Sequence, residues 1–274
     1  MSESSPPQIP ARPAVPVAPW QGGKRNLAAR LITRIAAIPH TTYVEPFVGM
    51  GGVFLRRPFR ARAEVINDIS EDVAVLFRCL QRHYQALLDM LRWQLTSRAE
   101  FERLAAATAD SLTDLERAAR FLYLQRTAFG GKVRGQSFGV SPAAPARFDV
   151  TRLEAILAEV HERLAGVVIE RLPWAVLIAR YDRPETLFYL DPPYWGCEGD
   201  YGADLFARED FERLAAQLAG IKGRFLLSLN DVPGVRETFR GFAIEAVETS
   251  YSLGAARRGA EKGRVGEVIV SNMR

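Results

Sequence analysis

The stretch LFYLDPPYWG, residues 187–196, joins an apolar segment to an acid, two prolines and two aromatic residues. The four apolar or aromatic residues at its start predict a buried strand that ends directly before Asp191. Pro192 and Pro193 have no backbone donors and restrict the chain, so this turn has a fixed geometry. It offers two acceptors side by side, the Asp191 carboxylate and the Pro192 carbonyl, with the Tyr194 ring beside them. This arrangement suits a planar ring that carries an NH₂ group.

Two other predicted strands end in unusual segments, EPFVGMGG (45–52) and NDIS (67–70). Glycines at such a turn let the backbone approach a ligand closely, but their spacing here differs from the G-x-G-x-x-G dinucleotide motif. Because ligands bind outside the carboxyl ends of parallel strands, we expect these segments and Asp191 to form one site. Asp68 has two interpretations on its own: a carboxylate that holds ribose hydroxyls, or the N-cap of a helix that begins near Ser70.

Hydrophobic periodicity predicts alternating strands and helices along most of the chain. The predicted helices cover 27–38, 73–91 and 208–221, with a shorter helical turn at 173–181 and the start of another helix near residue 55. The predicted strands are 42–45, 63–68, 166–172, 186–191 and 224–229, and segments 242–253 and 266–272 are predicted to form a final antiparallel pair. This pattern predicts an α/β fold with a mainly parallel sheet covered on both faces.

The pattern changes before this α/β region and in its middle. Residues 1–18 hold five prolines and no periodicity, which predicts a disordered tail. Residues 95–165 read as two helical stretches around the glycine-rich, basic segment RTAFGGKVRGQSFG (126–139). We therefore predict one domain made of residues 19–94 and 166–274, with a mostly helical insertion at 95–165 that carries a basic hairpin.

Composition narrows the class of protein. The chain has 274 residues, of which 48% are hydrophobic and 25% charged, values that are ordinary for a globular protein. It has no apolar run of about 18 residues or more and no secretory signal pattern, so we expect a cytoplasmic protein that does not enter a membrane. The two cysteines and three histidines are scattered, and we expect no metal site.

The distribution of basic residues indicates an anionic partner. Between Arg120 and Arg152 there are six basic residues and one acid, interleaved with aromatic residues and glycines. A second cluster near the C-terminus holds Arg257, Arg258, Lys262 and Arg264. A single such cluster is usually a solvated surface, but the two together favour a nucleic acid as the partner.

Three motifs in order resemble a known family. PWQGGKRN (19–26), YVEPFVGMGGVFL (43–55) and DPPY (191–194) are similar to those of the Dam-like DNA adenine-N6 methyltransferases of the α-group, and closest to the phage and prophage branch. The resemblance covers about residues 19–272. It implies a Rossmann-like fold, S-adenosylmethionine as methyl donor, no metal, and double-stranded DNA as substrate, with a flipped adenine as the target.

The resemblance also implies roles for individual residues. The catalytic set is Asp191, Pro192, Pro193 and Tyr194. The cofactor-binding set is Trp20, Gly22, Gly23, Lys24, Pro46, Phe47, Gly49, Gly51, Asp68 and Asp191, with Lys24 near the carboxylate of the cofactor. Residues 120–140 stand where the family has its DNA-contacting hairpin, so the predicted DNA-binding residues are Arg126, Lys132 and Arg134, together with Arg257, Arg258, Lys262 and Arg264. The hairpin sequence departs from that of many relatives, so no target sequence is carried over.

Three alternatives to this function were weighed against the sequence, and two of them stay open. A related enzyme could act on the N4 of cytosine or on RNA, although cytosine-N4 enzymes more often have serine at the position of Asp191. The chain could also be a prophage remnant that binds DNA without catalysis, which the intact motifs argue against. A nicotinamide-dependent dehydrogenase fails on the glycine spacing. We expect a monomer or weak dimer, with a cognate restriction nuclease as a possible partner.

Overall fold

A computed structural model of the protein describes residues 8–139, 145–200, 205–249 and 265–273. The strands are β1 Ile9–Pro10, β2 Thr42–Glu45, β3 Phe59–Arg60, β4 Ala63–Asn67, β5 Val168–Glu170, β6 Thr186–Leu190, β7 Arg224–Asn230, β8 Ala243–Thr249 and β9 Val265–Ser271. The helices are α1 Ala28–Ala37, α2 Glu71–Arg82, α3 Tyr84–Leu91, α4 Arg98–Ala106, α5 Asp114–Thr127, α6 Val150–Arg163, α7 Trp174–Tyr181, α8 Asp210–Ala219 and α9 Pro233–Thr238.

Seven of these strands form the central sheet in the order β5-β4-β2-β6-β7-β9-β8. The first five are parallel, and β9 pairs antiparallel with both β7 and β8. The predicted mainly parallel sheet with a terminal antiparallel pair is therefore confirmed. From β2 the next strands along the chain, β4 and β5, lie on one side, whereas β7 lies beyond β6 on the other side. The strand order therefore reverses between β2 and β6, and the crevice at their carboxyl ends is the expected ligand site.

Alternate residues of the central strands face two separate hydrophobic clusters. Tyr43 and Leu187 pack with residues of α1, α2, α3, α5 and α6 on one face of the sheet. Val44 and Phe188 pack with residues of α7, α8 and α9 on the other face. All five residues of β6 are buried, as expected for a strand covered on both faces.

Two predicted helices differ from the observed ones. The helix expected after the glycine turn does not form, because Gly49 and Gly51 have positive φ angles and residues 48–56 follow a series of turns instead. The long helix predicted over 73–91 is broken at His83, whose φ of −132° and ψ of 30° are not helical. The result is two helices, α2 and α3, that pack against α5 and α6 with different parts of their surfaces.

The predicted disordered tail over residues 1–18 is wrong for residues 8–18. Strand β1 pairs with β3, and the backbone N–H of Ala14 donates to the Leu55 carbonyl at 2.8 Å. Ala14, Val17 and Ala18 are buried in the same cluster as α1 and α2. The prolines of this segment lack donors, but its apolar residues bury enough surface to hold it in place. Residues 1–7 lie outside the described residues.

Residues 95–165 form helices α4, α5 and α6 that share a core with the sheet. Helix α5 begins with a capping box between Thr113 and Glu116 and packs along α2. Between α5 and α6, the chain turns back on itself: the N–H of Phe129 donates to the Ser137 carbonyl, and the N–H of Gly139 donates to the Thr127 carbonyl, both at 2.8 Å. This turned segment, residues 128–139, is called the basic hairpin below. That it recognises a DNA sequence stays a prediction.

Candidate active site

Asp191 lies directly after β6, at the point where the strand order reverses, and forms an ion pair with Lys24. The Lys24 ammonium is 2.5 Å from Asp191 Oδ1, and its side chain is only 2% exposed against 20% for Asp191. A buried ammonium is costly unless it is paired, so this contact fixes the segment before α1 against the end of β6. Two of the predicted motifs therefore meet at one carboxylate.

The same carboxylate has a second neighbour that the sequence motifs do not include. Ser228 Oγ, on β7, donates to Asp191 Oδ1 at 3.3 Å and shares a 2.9 Å hydrogen bond with the Tyr189 hydroxyl. Burial raises the pKa of Asp191 to about 6, while Lys24 acts in the opposite direction. The carboxylate is therefore ionised at neutral pH and is held mainly through Oδ1.

Tyr194 links this ion pair to the antiparallel end of the sheet. Its hydroxyl accepts a hydrogen bond from the Lys24 ammonium at 2.8 Å and donates to Glu267 Oε1, on β9, at 2.6 Å. The Lys24 ammonium is also 4.3 Å from the centre of the Tyr194 ring, a cation–π distance. The aromatic face expected beside Asp191 is thus present and held by hydrogen bonds.

Trp195 attaches the turn after Asp191 to helices α8 and α9. Its backbone N–H donates to Asn230 Oδ1 and its carbonyl accepts from Asn230 Nδ2, both at 3.0 Å. The indole ring lies 4.9 Å from the Phe211 ring and so close to Gly234 that a Cβ there would come within 2.2 Å of it. The Arg208 guanidinium covers the ring at 4.1 Å. Trp195 therefore holds residues 191–195 on helices α8 and α9.

The glycine segment after β2 folds against Trp20. Gly49 has a φ of +49°, and a Cβ at this position would lie 2.7 Å from Trp20 Nε1. Gly22 also has positive φ, and a Cβ on Gly23 would lie 3.0 Å from the Trp20 carbonyl. The motif after β2 therefore packs closely on the motif near the N-terminus at Gly49, where a side chain would clash with the Trp20 indole.

Asp68 joins the glycine segment to helix α2. Its Oδ2 accepts from the Gly49 N–H and its Oδ1 from the Ser70 N–H, both at 2.9 Å. Each carboxylate oxygen can accept a second hydrogen bond. Burial raises the pKa of Asp68 to about 6. Asp68 is therefore not the N-cap of α2, which is Ser70, although it accepts from the Ser70 N–H just before the helix. Each of its oxygens retains acceptor capacity for a hydroxyl group, as the other interpretation requires.

Pro46 and Phe47 directly follow β2, at the carboxyl edge of the sheet. Asn67 Nδ2 donates to the Pro46 carbonyl at 2.9 Å, and Asn67 Oδ1 accepts from the Leu172 N–H at 2.8 Å. The half-buried Phe47 ring packs edge-to-face on Phe206 at 5.9 Å. The ends of β2, β4 and β5 are therefore tied together by one asparagine.

The basic hairpin docks on the segment that carries Trp20. The Gly131 carbonyl accepts from the Gln21 N–H at 3.0 Å and from Gln125 Nε2 at 2.7 Å. Gln125 Nε2 also donates to the Pro19 carbonyl at 2.8 Å. Lys132, half-buried, and Arg134, exposed, therefore lie on a loop that is fixed to the edge of the site.

Arg126, predicted to contact DNA, binds two backbone carbonyls of the protein. Its guanidinium donates to the Val17 carbonyl at 2.6 Å and to the Arg147 carbonyl at 3.2 Å, and burial lowers its pKa. Arg126 therefore ties the N-terminal segment to helix α5, and its role in DNA binding stays a prediction. Arg257, Arg258, Lys262 and Arg264 lie outside the described residues.

Two buried acids at the site were not predicted. Glu45 ends β2, is 2% exposed and accepts a 2.8 Å hydrogen bond from the Tyr43 hydroxyl; burial raises its pKa to about 8. Glu267 is 0% exposed on β9. Each is a single acid within an apolar strand, and this pattern was the available sequence signal. Among the described residues, no group of three or more His, Cys, Asp or Glu side chains could hold a metal.

The last strand of the chain, β9, lies antiparallel between β7 and β8. This strand order and the turn at Asp191 define a Rossmann-like methyltransferase. The sequence model of the D12 class N6 adenine-specific DNA methyltransferases matches residues 20–253. Because this match covers most of the chain, the protein belongs to that family. It is therefore an S-adenosylmethionine-dependent enzyme that methylates adenine in DNA, and the family's adenine specificity overrules the cytosine and RNA alternatives.

Three relatives support this assignment, two of them along most of their own length. The type II methyltransferase M.CviBI of Paramecium bursaria Chlorella virus NC1A is 25% identical over 93% of this chain and 95% of its own. The DNA adenine methylase of Vibrio cholerae serotype O1 is 26% identical over 91% of this chain and 93% of its own. The DNA N-6-adenine-methyltransferase of Escherichia phage P1 is 26% identical over 85% of this chain and 32% of its own. No helix of the described residues is long and apolar enough to span a bilayer.

Proposed function

We propose that this chain methylates the N6 amine of one adenine within a specific sequence of double-stranded DNA, with that adenine turned out of the duplex and placed beside Asp191. The observation that carries the proposal is the Asp191 carboxylate at the strand-order reversal, paired with Lys24 and flanked by the Tyr194 ring. An adenine inside a duplex cannot reach such a recess, and enzymes that modify bases there extrude them.

Asp191 and Pro192 are the acceptors for the two amine hydrogens. Lys24 and Ser228 both contact Oδ1, and no described residue donates to Oδ2, so Oδ2 is the oxygen that meets the amine. Accepting both hydrogens favours a pyramidal nitrogen whose lone pair is directed away from the ring. A carboxylate with a pKa of about 6 can also take up the proton that the nitrogen releases after methylation.

The residues around Asp68 and Gly49 are those that would hold S-adenosylmethionine. The fit rests on two features: Asp68 keeps acceptor capacity on both oxygens, and the absence of a Cβ on Gly49 lets backbone and Trp20 approach closely. The other residues of this set are Gly22, Gly23, Pro46, Phe47 and Gly51. S-adenosylmethionine supplies an electrophilic methyl group when bound. Holding two reactants in line contributes roughly 7–11 kcal/mol to catalysis in favourable cases.

The family resemblance implies that Lys24 lies near the carboxylate of the cofactor, whereas this proposal assigns it to the catalytic turn. Its ammonium contacts Asp191 at 2.5 Å and Tyr194 at 2.8 Å, and lies 3.5 Å from the Gly22 carbonyl. These three partners match the three donors of an ammonium group. We assign Lys24 to orient Asp191 and Tyr194, and its contact with the carboxylate of the cofactor stays a prediction.

DNA binding is assigned to the basic hairpin. Lys132 and Arg134 lie on a loop fixed beside Trp20, where they can contact phosphates on either side of a flipped base. Flipping the adenine out of the duplex costs a few kcal/mol, and its stacking on Tyr194 offsets on the order of 1–3 kcal/mol of that cost. The C-terminal basic residues stay predicted phosphate contacts. A cognate nuclease is a further proposed partner.

Sequencing with modified-base detection tests the proposal. DNA from cells without endogenous adenine methylation is sequenced after expression of this chain or its Asp191→Ala variant. We expect N6-methyladenine at one recurring sequence with the wild-type chain and none with the variant. Methylation of cytosine, methylation without a recurring sequence, or full activity of Asp191→Ala would contradict the proposal.

A further inference from the structure

Glu267 is a buried carboxylate in an apolar strand at the edge of the active site. It is 0% exposed, and its neighbours Val268 and Ile269 on β9 are 0% and 3% exposed. Burying a carboxylate is costly unless it is hydrogen-bonded or paired. Its contact with the Tyr194 hydroxyl, at 2.6 Å, is short enough for a charge-assisted hydrogen bond.

The register of the sheet places Asn230 beside Glu267, and both residues bind the turn that follows Asp191. Glu267 lies opposite Asn230 in the antiparallel pairing of β9 with β7. Asn230 binds the backbone of Trp195 through two hydrogen bonds of 3.0 Å, while Glu267 binds the side chain of Tyr194. One cross-strand pair therefore holds two consecutive residues of the turn that follows Asp191.

A continuous set of contacts connects Glu267 to Asp191. The Tyr194 hydroxyl donates to Glu267 and accepts from Lys24, and Lys24 contacts Asp191. One ammonium thus lies between two carboxylates, with the Tyr194 hydroxyl between the ammonium and Glu267. The charge of Glu267 acts to raise the pKa of Asp191, which shows that the two acids are near enough to interact.

We infer that Glu267 is a positioning residue for methyl transfer: it fixes the plane of the Tyr194 ring on which the target adenine stacks, and it keeps the Tyr194 hydroxyl directed so that Lys24 stays on Asp191. This inference rests on the proposed function, because it assigns to Tyr194 the stacking role stated there. Glu267 itself touches neither the base nor the methyl donor.

The test is a double-mutant cycle between Glu267 and Tyr194. The variants are Glu267→Leu, Glu267→Gln, Tyr194→Phe and the two double variants, assayed by tritiated methyl transfer to bacterial genomic DNA that lacks adenine methylation. We expect Glu267→Leu to lower kcat by about 10- to 100-fold, the usual effect of losing a hydrogen bond to a charged group. The KM for S-adenosylmethionine is expected to stay within about twofold of the wild-type value, because β9 is separated by β7 and β6 from β2 and β4, the strands that lead to Gly49 and Asp68.

The amide variant separates the bond from the charge. Glu267→Gln keeps an acceptor for the Tyr194 hydroxyl, so we expect a smaller fall in kcat, about 3- to 10-fold, since a charge-assisted hydrogen bond is roughly twice as strong as a neutral one. In the Tyr194→Phe background the bond is already absent. Both Glu267 substitutions are then expected to change kcat by less than about twofold, because coupled residues are not additive.

The cycle has clear contrary outcomes. Equal losses from Glu267→Leu with and without the Tyr194 hydroxyl would overturn the inference, as would a kcat of Glu267→Leu within about twofold of wild type. If Glu267→Leu does not fold, as judged by circular dichroism, the cycle with Glu267→Gln decides by the same comparison. A wild-type chain that transfers no methyl group to adenine would instead contradict the proposed function, which the wild-type reaction in the same assay reports separately.

Discussion

The Lys24 ammonium lies 2.5 Å from Asp191 Oδ1, so the segment before the first helix supplies the cation for the carboxylate at the end of β6. The ion pair connects the motif at residues 19–26 with the motif at 191–194. It also determines how the site responds to pH. Asp191 has a pKa of about 6, raised by burial and held from rising further by Lys24.

The first prediction concerns this pH response. Methyl transfer by the wild-type enzyme is expected to fall as pH drops through about 6, where Asp191 becomes protonated. Lys24→Met removes the group that lowers the pKa of Asp191, so the acid limb is expected to move to higher pH, together with a loss of rate. Single-turnover rates between about pH 5 and 9 measure both effects. Arg25→Met, at the exposed neighbouring position, is the control and is expected to keep the wild-type profile. An acid limb that does not move in Lys24→Met would contradict the assignment.

The second prediction compares two glycines of the same segment. Gly49→Ala places a Cβ 2.7 Å from Trp20 Nε1 at a φ of +49°, whereas a Cβ on Gly52 meets nothing closer than 3.5 Å. We expect Gly49→Ala to lower the free energy of unfolding by about 1–3 kcal/mol through left-handed strain and the clash. It is also expected to weaken S-adenosylmethionine binding in a calorimetric titration. Gly52→Ala is expected to match the wild type in both measurements, and equal binding losses in the two variants would argue against a specific role for Gly49.

The third prediction uses the buried acid at the end of β2. Burial raises the pKa of Glu45 to about 8, above its value in the unfolded chain, so the folded state favours the protonated form. The contribution of Glu45 to the free energy of unfolding is therefore fully present below its unfolded pKa and is lost as pH rises through about 8. Glu45→Gln keeps an acceptor for Tyr43 without this penalty. In urea denaturation, the Glu45→Gln variant is expected to be no more stable than the wild type near pH 5 and more stable than the wild type near pH 9. The same difference at both pH values would refute a titrating Glu45.

The fourth prediction separates basic residues that bind DNA from those that hold the fold. Lys132→Ala and Arg134→Ala are each expected to weaken DNA binding, to reduce the slope of log K against log salt by about 0.9, and to leave the melting temperature unchanged. Arg126→Ala is expected to lower the melting temperature, because its guanidinium donates to two backbone carbonyls.

Arg62→Ala is the matched control for this set. Arg62 is exposed at the amino end of β4, the opposite edge of the sheet from the site. Fluorescence anisotropy with a duplex oligonucleotide at several salt concentrations measures the slopes. A loss of affinity in Arg62→Ala as large as that in Arg134→Ala would mean that binding depends on net charge alone, without a contribution from the hairpin.

The parts of the site that could be predicted are those written in short segments of sequence. Asp191, Asp68 and Gly49 each follow an apolar strand, and strand ends in a parallel sheet meet at one edge. Glu267, Ser228 and Asn230 could not be assigned in this way, because they contact the turn only after β7 and β9 pair in one particular register. Nothing local in either strand specifies that register, which depends on the whole sheet.

The contacts that the sequence does not reveal have physical causes of the same kind. The charge of Arg126 is visible in the sequence but the direction of its side chain is not, and one of its two hydrogen bonds goes to the N-terminal segment that composition predicts to be disordered. Proline content indicated disorder for residues 8–18, yet burial of three small apolar side chains against the sheet outweighs it. In both cases a contact between distant parts of the chain overrides local composition.

The position of β9 between β7 and β8 has a consequence for biosynthesis. The strand that separates these two is translated after both of them, so β7 and β8 have no partner in common until residues 265–271 leave the ribosome. A nascent chain that ends before residue 265 contains the glycine segment, Asp68 and the DPPY turn but has nothing to hold Tyr194 from the side of β9. We therefore expect a prematurely terminated product to lack full methyl-transfer activity although it carries those three motifs.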